Sequence, residues 1–436
     1  MPSPNKRWMK LDNAAKIYPA AKSRDWNALF RVSATLTEPV SPQILQEALN
    51  LCIKRFPSYA LRLRRGMFWY YLDPIESLPV IQQDVINPCV RMNFRQNDGF
   101  MFRVRYYGCR ISVEFFHALT DGTGGLIFLK TLVAQYLRLK YGADIPCGDG
   151  ILDCADTPSP QELEDSFLKY ARGCKRSRRE MRAYKIPGTD SRHFMHITTG
   201  KTDAAQLAAL AKKYGATVTE LLVSVLILSV QELQARRCGK NSRKLKPVKI
   251  CVPINLRRYY PTCTVRNFSS YMNPGIDPSL GQYTLEEIIR SVRGYMALEN
   301  DEKLLNAKFS TNVSQERNLA LRLVPLFLKS LIMKSVFILH GEALTSSTVS
   351  NLGICRLPEG MSRYVEQMDF MLGPLYRNRV ACACLSYNGV INISFTRSIE
   401  ESYIEKSFFT TLVRLGVHVL IESNHPEASG ELTRKE

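Results

Sequence analysis

The sequence predicts a mixed α/β (α+β) protein built of two similar-sized halves. Three observations support this. The chain has 436 residues, too many for one small core when domains usually run to about 150–200 residues. Helix-period and strand-period patterns are mixed in both halves, without regular βαβ repetition. From about Gly142 to Pro187 the pattern breaks into Pro, Gly, Asp and Arg, a linker composition. The expected division is a first half over 1–170, a basic linker over 171–190 and a second half over 191–436.

In order along the chain, the first clear helix is SPQILQEALNLCIKRFP. Ser41 is placed to cap it, Pro42 suits its first turn, and Ile44, Leu45, Ala48, Leu49, Cys52, Ile53 and Phe56 form one apolar face. Strand-like runs follow at Met67–Leu72 and Met101–His117, the second alternating around Gly108 as a hairpin does. GGLIFLKTLVAQYLRLKYG reads as a helix ending near Gly142. The second half opens with the strand-like HFMHITTG and a helix over Ala204–Tyr214 stopped by Gly215. Thr217-x-x-Glu220 is a capping box before LLVSVLILSV, so that helix should be buried. Beyond it lie the strand KPVKICVPINLR, a helix near Leu285–Leu298, a basic amphipathic stretch from Leu319 to Leu339, and strands near Ser346–Leu352 and Arg379–Phe395.

Composition narrows the classes. Hydrophobic content of 45% is that of a globular chain. The first residues hold no apolar signal region and no apolar run approaches the length of a membrane span, so a soluble, cytoplasmic protein without a transmembrane segment is expected. The 12 cysteines are scattered without a CxxC pair, and most lie in apolar company as core residues. His193 and His196 have no cysteine or acidic cluster beside them, so no metal site is expected. The net charge of +19 gathers in Lys169–Lys185 and Arg236–Lys249. These read as solvated linkers, or as a positive field for coenzyme A phosphates or an acidic carrier protein. Aromatic residues are not interleaved there as stacking on nucleic acid requires, so no nucleic-acid partner is expected.

One constellation points to chemistry. FFHALTDGTGG places His117 at the end of an apolar strand, with Asp121-Gly122 and a helix following. A strand end before a tight turn fixes a side chain rigidly while its ring faces a cleft. Asp121 is constrained by the turn and better suited to pair with an arginine and brace it. Gly122 permits a close approach by another segment.

FFHALTDGTGG resembles the active-site motif of the chloramphenicol acetyltransferase-like superfamily, which includes plant acyltransferases, condensation domains of peptide synthetases and alcohol acetyltransferases. Four segments carry the resemblance in order: FPSYALRLRRG, FFHALTDGTGG, VPINLRRYYP with NFSSYMNPGI after it, and STVSNLG at Ser347–Gly353. The resemblance implies two halves, each a mixed sheet with flanking helices, meeting at an active-site tunnel with His117 midway. It implies an acyltransferase that moves an acetyl or short acyl group from acyl-CoA, as co-substrate with no bound cofactor, to an alcohol or amine. His117 would be the general base, and an imidazole of ordinary pKa near ~6.5 suits that work. Ser350, Asn351 and Ser347 are candidates for oxyanion or substrate contact. Arg257 is the first choice of partner for Asp121, and Arg62 the second.

Two departures matter. Phe116 stands where condensation domains have a first histidine, and the plant Asp-Phe-Gly-Trp-Gly motif is missing, which favours the alcohol-acetyltransferase-like branch. A carrier-protein-dependent condensation-type enzyme and a catalytically silent binding protein are the alternatives. The Leu319–Leu339 stretch is expected against the tunnel wall, with a membrane-surface helix as its alternative.

Overall fold

The computed structural model describes residues 8–21, 28–173, 180–192, 194–239, 245–317, 323–336, 342–373 and 377–424. Seven strands belong to the first half: β1 (Met9–Lys10), β2 (Leu29–Leu36), β3 (Leu61–Arg65), β4 (Tyr70–Pro74), β5 (Gln82–Gln83), β6 (Phe102–Tyr107) and β7 (Arg110–Phe116). Then come β8 (His196–Asp203), β9 (Val248–Asn255), β10 (Ser269–Met272), β11 (Gly275–Ile276) and β12 (Ser347–Ile354). The last are β13 (Val365–Leu372), β14 (Val380–Tyr387), β15 (Val390–Arg397) and β16 (Leu420–Ser423).

They form two large mixed sheets and one small one, β1-β4-β3. The second-half sheet runs β10-β9-β12-β14-β15-β8-β16 with β11 also on β9, and β12 lies parallel to both its neighbours. The first-half sheet runs β13-β2-β7-β6-β5. At its edge the later chain crosses the expected division at 191. β13 comes from the second half, yet it pairs antiparallel with β2, Met368 opposite Ala34 and Phe370 opposite Val32. Without it β2 would be an open apolar edge, which a stable sheet avoids. The first core accordingly takes Met368, Phe370, Ala383 and Leu385 from the later chain.

The helices follow their local signals. Helix Pro42–Arg55 buries the expected face against helix Gly122–Tyr141. Ser41 holds its N-cap position but its side chain makes no cap bond; the Ser41 amide instead donates to the Tyr136 hydroxyl at 2.9 Å. Gly142, at φ 60°, stops the second helix. The hairpin turns at Gly108, as the alternation requires. The strand expected over Met67–Leu72 is shifted to β4, because Gly66–Trp69 closes the turn after β3, with the Gly66 amide bonded to the Trp69 carbonyl.

Thr217 and Glu220 cap each other's backbone amides, and helix Val218–Cys238 follows. By length and apolarity this helix alone, among the described residues, could cross a bilayer. Leu221 through Ile227 are all buried, in the core between the sheet and helices Leu285–Glu299 and Tyr403–Arg414. A third apolar cluster, with Phe167, Leu256, Tyr260, Phe268 and Phe309, supports the 264–268 segment from behind.

Of the two basic stretches, 174–179 and 240–244 lie outside the described residues, as do 319–322 and 337–339 of the amphipathic stretch. What is described of the latter includes helix Leu326–Val336, which packs on helix Ile17–Ala21. Phe327, Leu328, Leu331 and Ile332 are exposed, whereas Lys329 is buried.

Candidate active site

β7 delivers His117 to the point where the first-half sheet ends. The His117 amide donates to the Ala28 carbonyl at 2.9 Å, holding the residue to the chain entering β2. The imidazole stacks on Tyr18 with ring centroids 4.6 Å apart, and Phe30 meets it edge-on at 5.3 Å. Its Nδ1 lies 3.1 Å from Asn267 Oδ1. Asn267 in turn donates through Nδ2 to Asp12 Oδ2 at 3.3 Å.

With Asp12 ionised, this chain of contacts sets a tautomer. An ionised Asp12 carboxylate only accepts, so the Asn267 amide must turn its nitrogen there and its oxygen to His117. His117 then carries its proton on Nδ1 and keeps a lone pair on Nε2. Burial lowers the His117 pKa below the usual imidazole value, against its own backbone, Asp121 and Asn267, which favour the cation. The ring is therefore neutral near pH 7. Burial raises the Asp12 carboxyl above its ordinary value, opposed by Arg266, with Nε 3.8 Å away, and by the Ala15 amide at 2.6 Å.

Asp121 turns away from the imidazole and braces the turn. Oδ1 accepts the Gly124 amide at 3.0 Å, capping helix Gly122–Tyr141. Oδ2 accepts Arg257 Nη1 and the Phe268 amide, each at 2.8 Å. Burial works against the charge on Asp121, but Arg257 and the two amides outweigh it and hold the carboxyl below its ordinary range. Arg257 also donates to the carbonyls of Thr264 and Arg266, at 3.0 and 2.6 Å. It thereby ties the segment bearing Asn267 to the segment bearing His117.

Two glycines allow that closeness. A Cβ on Gly124 would stand 2.2 Å from the Val265 carbonyl oxygen, and one on Gly122 would stand 2.7 Å from a methyl of Leu352. Leu352 lies in the STVSNLG segment, so Gly122 is where that segment meets the motif. Arg62, the second-choice partner of Asp121, is elsewhere: its Nε donates to Asp73 at 2.8 Å in an exposed pair.

The three oxyanion candidates part company. Ser347 is fully buried and donates to the Val380 carbonyl at 2.7 Å. Asn351 donates to Thr219 Oγ1 at 3.1 Å and accepts the Gly353 amide at 2.8 Å, closing the turn after the strand. Ser350 lies two residues before Leu352, hence on the strand face that meets the first half. Its hydroxyl has no hydrogen-bond partner among the described residues, which leaves it the one candidate of the three not already committed.

Sequence reasoning missed Tyr18, Asp12 and the role of Asn267. Asn267 was within reach, since it opens NFSSYMNPGI; Asp12 and Tyr18 lie in a stretch with no local signal, and only the fold brings them to the histidine. Two surface cavities, of 560 Å³ beside Arg62, Asp73 and Asp98 and of 570 Å³ beside Arg290 and Arg293, include none of these residues. Among the described residues no cluster of histidine, cysteine and acidic side chains could hold a metal ion. His193 lies outside the described residues.

Two mixed sheets with flanking helices, the later chain returning a strand to the first, give the two-lobed fold of solved condensation domains and acyltransferases. The polyketide synthase associated protein 5 from Mycobacterium tuberculosis aligns with a TM-score of 0.62 at 13% identity, over 92% of this chain and 96% of its own. TRI101 from F. graminearum, solved with coenzyme A and T-2 mycotoxin, aligns with a TM-score of 0.61 at 10% identity, over 96% and 100%. The first condensation domain of the calcium-dependent antibiotic synthetase aligns at 0.55 and 13%, over 94% and 97%. No family model matches the sequence, and no curated protein matches it.

Proposed function

We propose that the chain is an acyltransferase in which His117 acts as general base for the attack of an alcohol or amine on an acyl-CoA thioester. The observation behind this is the His117–Asn267–Asp12 chain, which, with Asp12 ionised, places the ring proton on Nδ1 and leaves a lone pair on Nε2. In the proposed reaction Nε2 takes the acceptor's proton as its oxygen or nitrogen bonds to the thioester carbon. The tetrahedral oxyanion collapses, the carbon–sulfur bond breaks, and the imidazolium returns the proton to the thiolate. Ester or amide and free coenzyme A leave, without a covalent enzyme intermediate. Ser350 is proposed as a donor to the oxyanion.

Coenzyme A in the TRI101 structure supports a coenzyme A donor on this fold, and the net charge of +19 suits its phosphates. The condensation-domain neighbour supports a second reading, in which an acidic carrier protein presents the acyl group. The two differ in salt response: carrier docking through exposed charges weakens steeply as salt rises. Release of free thiol, measured across acyl-CoA lengths with a panel of alcohols and amines, tests the first reading. Turnover that requires an acyl carrier protein, with none from acyl-CoA, would favour the second.

A further inference from the structure

Helix Leu326–Val336 is turned inside out for a helix in water. The face it presents to solvent is Phe327, Leu328, Leu331 and Ile332, exposed by 67, 42, 63 and 56%, with Leu323 just before it at 71%. Positions i, i+1, i+4 and i+5 form one continuous stripe, and no charged side chain interrupts it. The lysine that would normally point outward points in. Lys329 Nζ sits 3.7 Å over the Trp69 ring and donates to the Phe68 carbonyl at 3.1 Å. These contacts, and the Leu326 amide bonded to the Met67 carbonyl at 2.9 Å, lock the helix in this orientation. Met67, at the tip of the adjoining β3–β4 turn, is itself 76% exposed and extends the apolar stripe.

A patch of this kind on a soluble chain marks an interaction site. The charge around it indicates which kind. Arg65 is exposed on the strand leading to Met67, as is Arg64, which pairs with Asp73 at 3.4 Å; Lys334 lies on the helix, and the whole chain carries +19. An apolar stripe with cations on its own helix and on the adjoining strand complements a surface with anionic groups outside and hydrocarbon beneath.

We infer that helix Leu326–Val336 and the Met67 turn form a docking face for an anionic lipid bilayer, with Phe327, Leu328, Leu331 and Ile332 entering the headgroup–acyl boundary. The inner side of this helix packs on helix Ile17–Ala21, whose Tyr18 stacks on His117. One short helix therefore separates the docking face from the imidazole. Binding through this face is independent of acyl transfer and is read without turnover.

The test is co-sedimentation of the full chain with vesicles of phosphatidylglycerol and phosphatidylcholine, against vesicles of phosphatidylcholine alone. Partition should be at least tenfold higher onto the anionic vesicles. The double variant Phe327→Glu/Leu331→Glu should lose at least tenfold of that partition. Because both positions are exposed, its circular dichroism and thermal unfolding should match the parent. Arg65→Glu, outside the apolar stripe, should lose about fivefold or more. Equal partition of parent and double variant, or no partition by the parent, overturns the inference. So does a parent that is dimeric by light scattering and ignores vesicles, with a monomeric double variant: the face would then join two copies of the chain.

Discussion

At the scale of the residue, His117 is set by its neighbours rather than by its own motif. Burial lowers its pKa, so the neutral form persists below the usual imidazole value of ~6.5. If the neutral ring is the active form, kcat/KM is flat near pH 7 and falls on acidification with an apparent pKa under ~6.5, as a pH–rate profile would record. Asn267→Ala removes the acceptor for the Nδ1 proton, a contact that favours the imidazolium. The acid limb should then move to still lower pH, and kcat should drop about 10–100-fold as the ring loses its fixed orientation. A purely structural asparagine would lower thermal stability and leave the limb where it was. The histidine, its aspartate and the arginine were legible because they sit in short motifs. Asp12 and Tyr18 were not, since nothing local marks a residue whose partner lies more than 90 positions away.

At the scale of the element, the start of helix Gly122–Tyr141 joins three segments distant in sequence. Asp121→Asn leaves Arg257 buried without its counter-charge, and urea unfolding should show a loss of about 3–5 kcal/mol. The Asp121 carboxyl is held below its ordinary value, so the sign of its pH linkage is that of a native carboxylate. Its contribution is complete above the unfolded pKa of ~3.9 and is lost as pH falls through the lower folded value. Gly124→Ala drives a methyl into the Val265 carbonyl and should cost about 1–3 kcal/mol in the same assay. Elements with local punctuation were readable: the Thr217 capping box, the Gly142 stop, the Gly108 hairpin. β2 was not, although Phe30, Val32, Ala34 and Leu36 alternate along it. Its other face is buried too, because Arg31 pairs with Asp84 and Glu114, and Ser33 lies beside them. The alternation is present in the sequence, but the partners that bury Arg31 and Ser33 come from distant segments that no local pattern marks.

At the scale of the whole molecule, the two halves are not separable units. β13 completes the first sheet from the second half, and the first core draws on β14 as well. Expressed alone, residues 1–190 would leave β2 as an open edge. That fragment should be aggregated or unfolded, whereas the full chain should be monodisperse by size-exclusion chromatography; a soluble, cooperatively folding fragment would contradict the topology. The strand exchange was not legible in the sequence, because VEQMDFML reads as any short amphipathic strand. The central claim, that His117 takes the acceptor's proton in acyl transfer, is tested most directly by thiol release from acyl-CoA with the parent and His117→Ala side by side. The parent should release thiol in an acceptor-dependent way, and the folded variant should lose about 10²–10⁴-fold of that rate; equal rates in the two proteins would contradict the account.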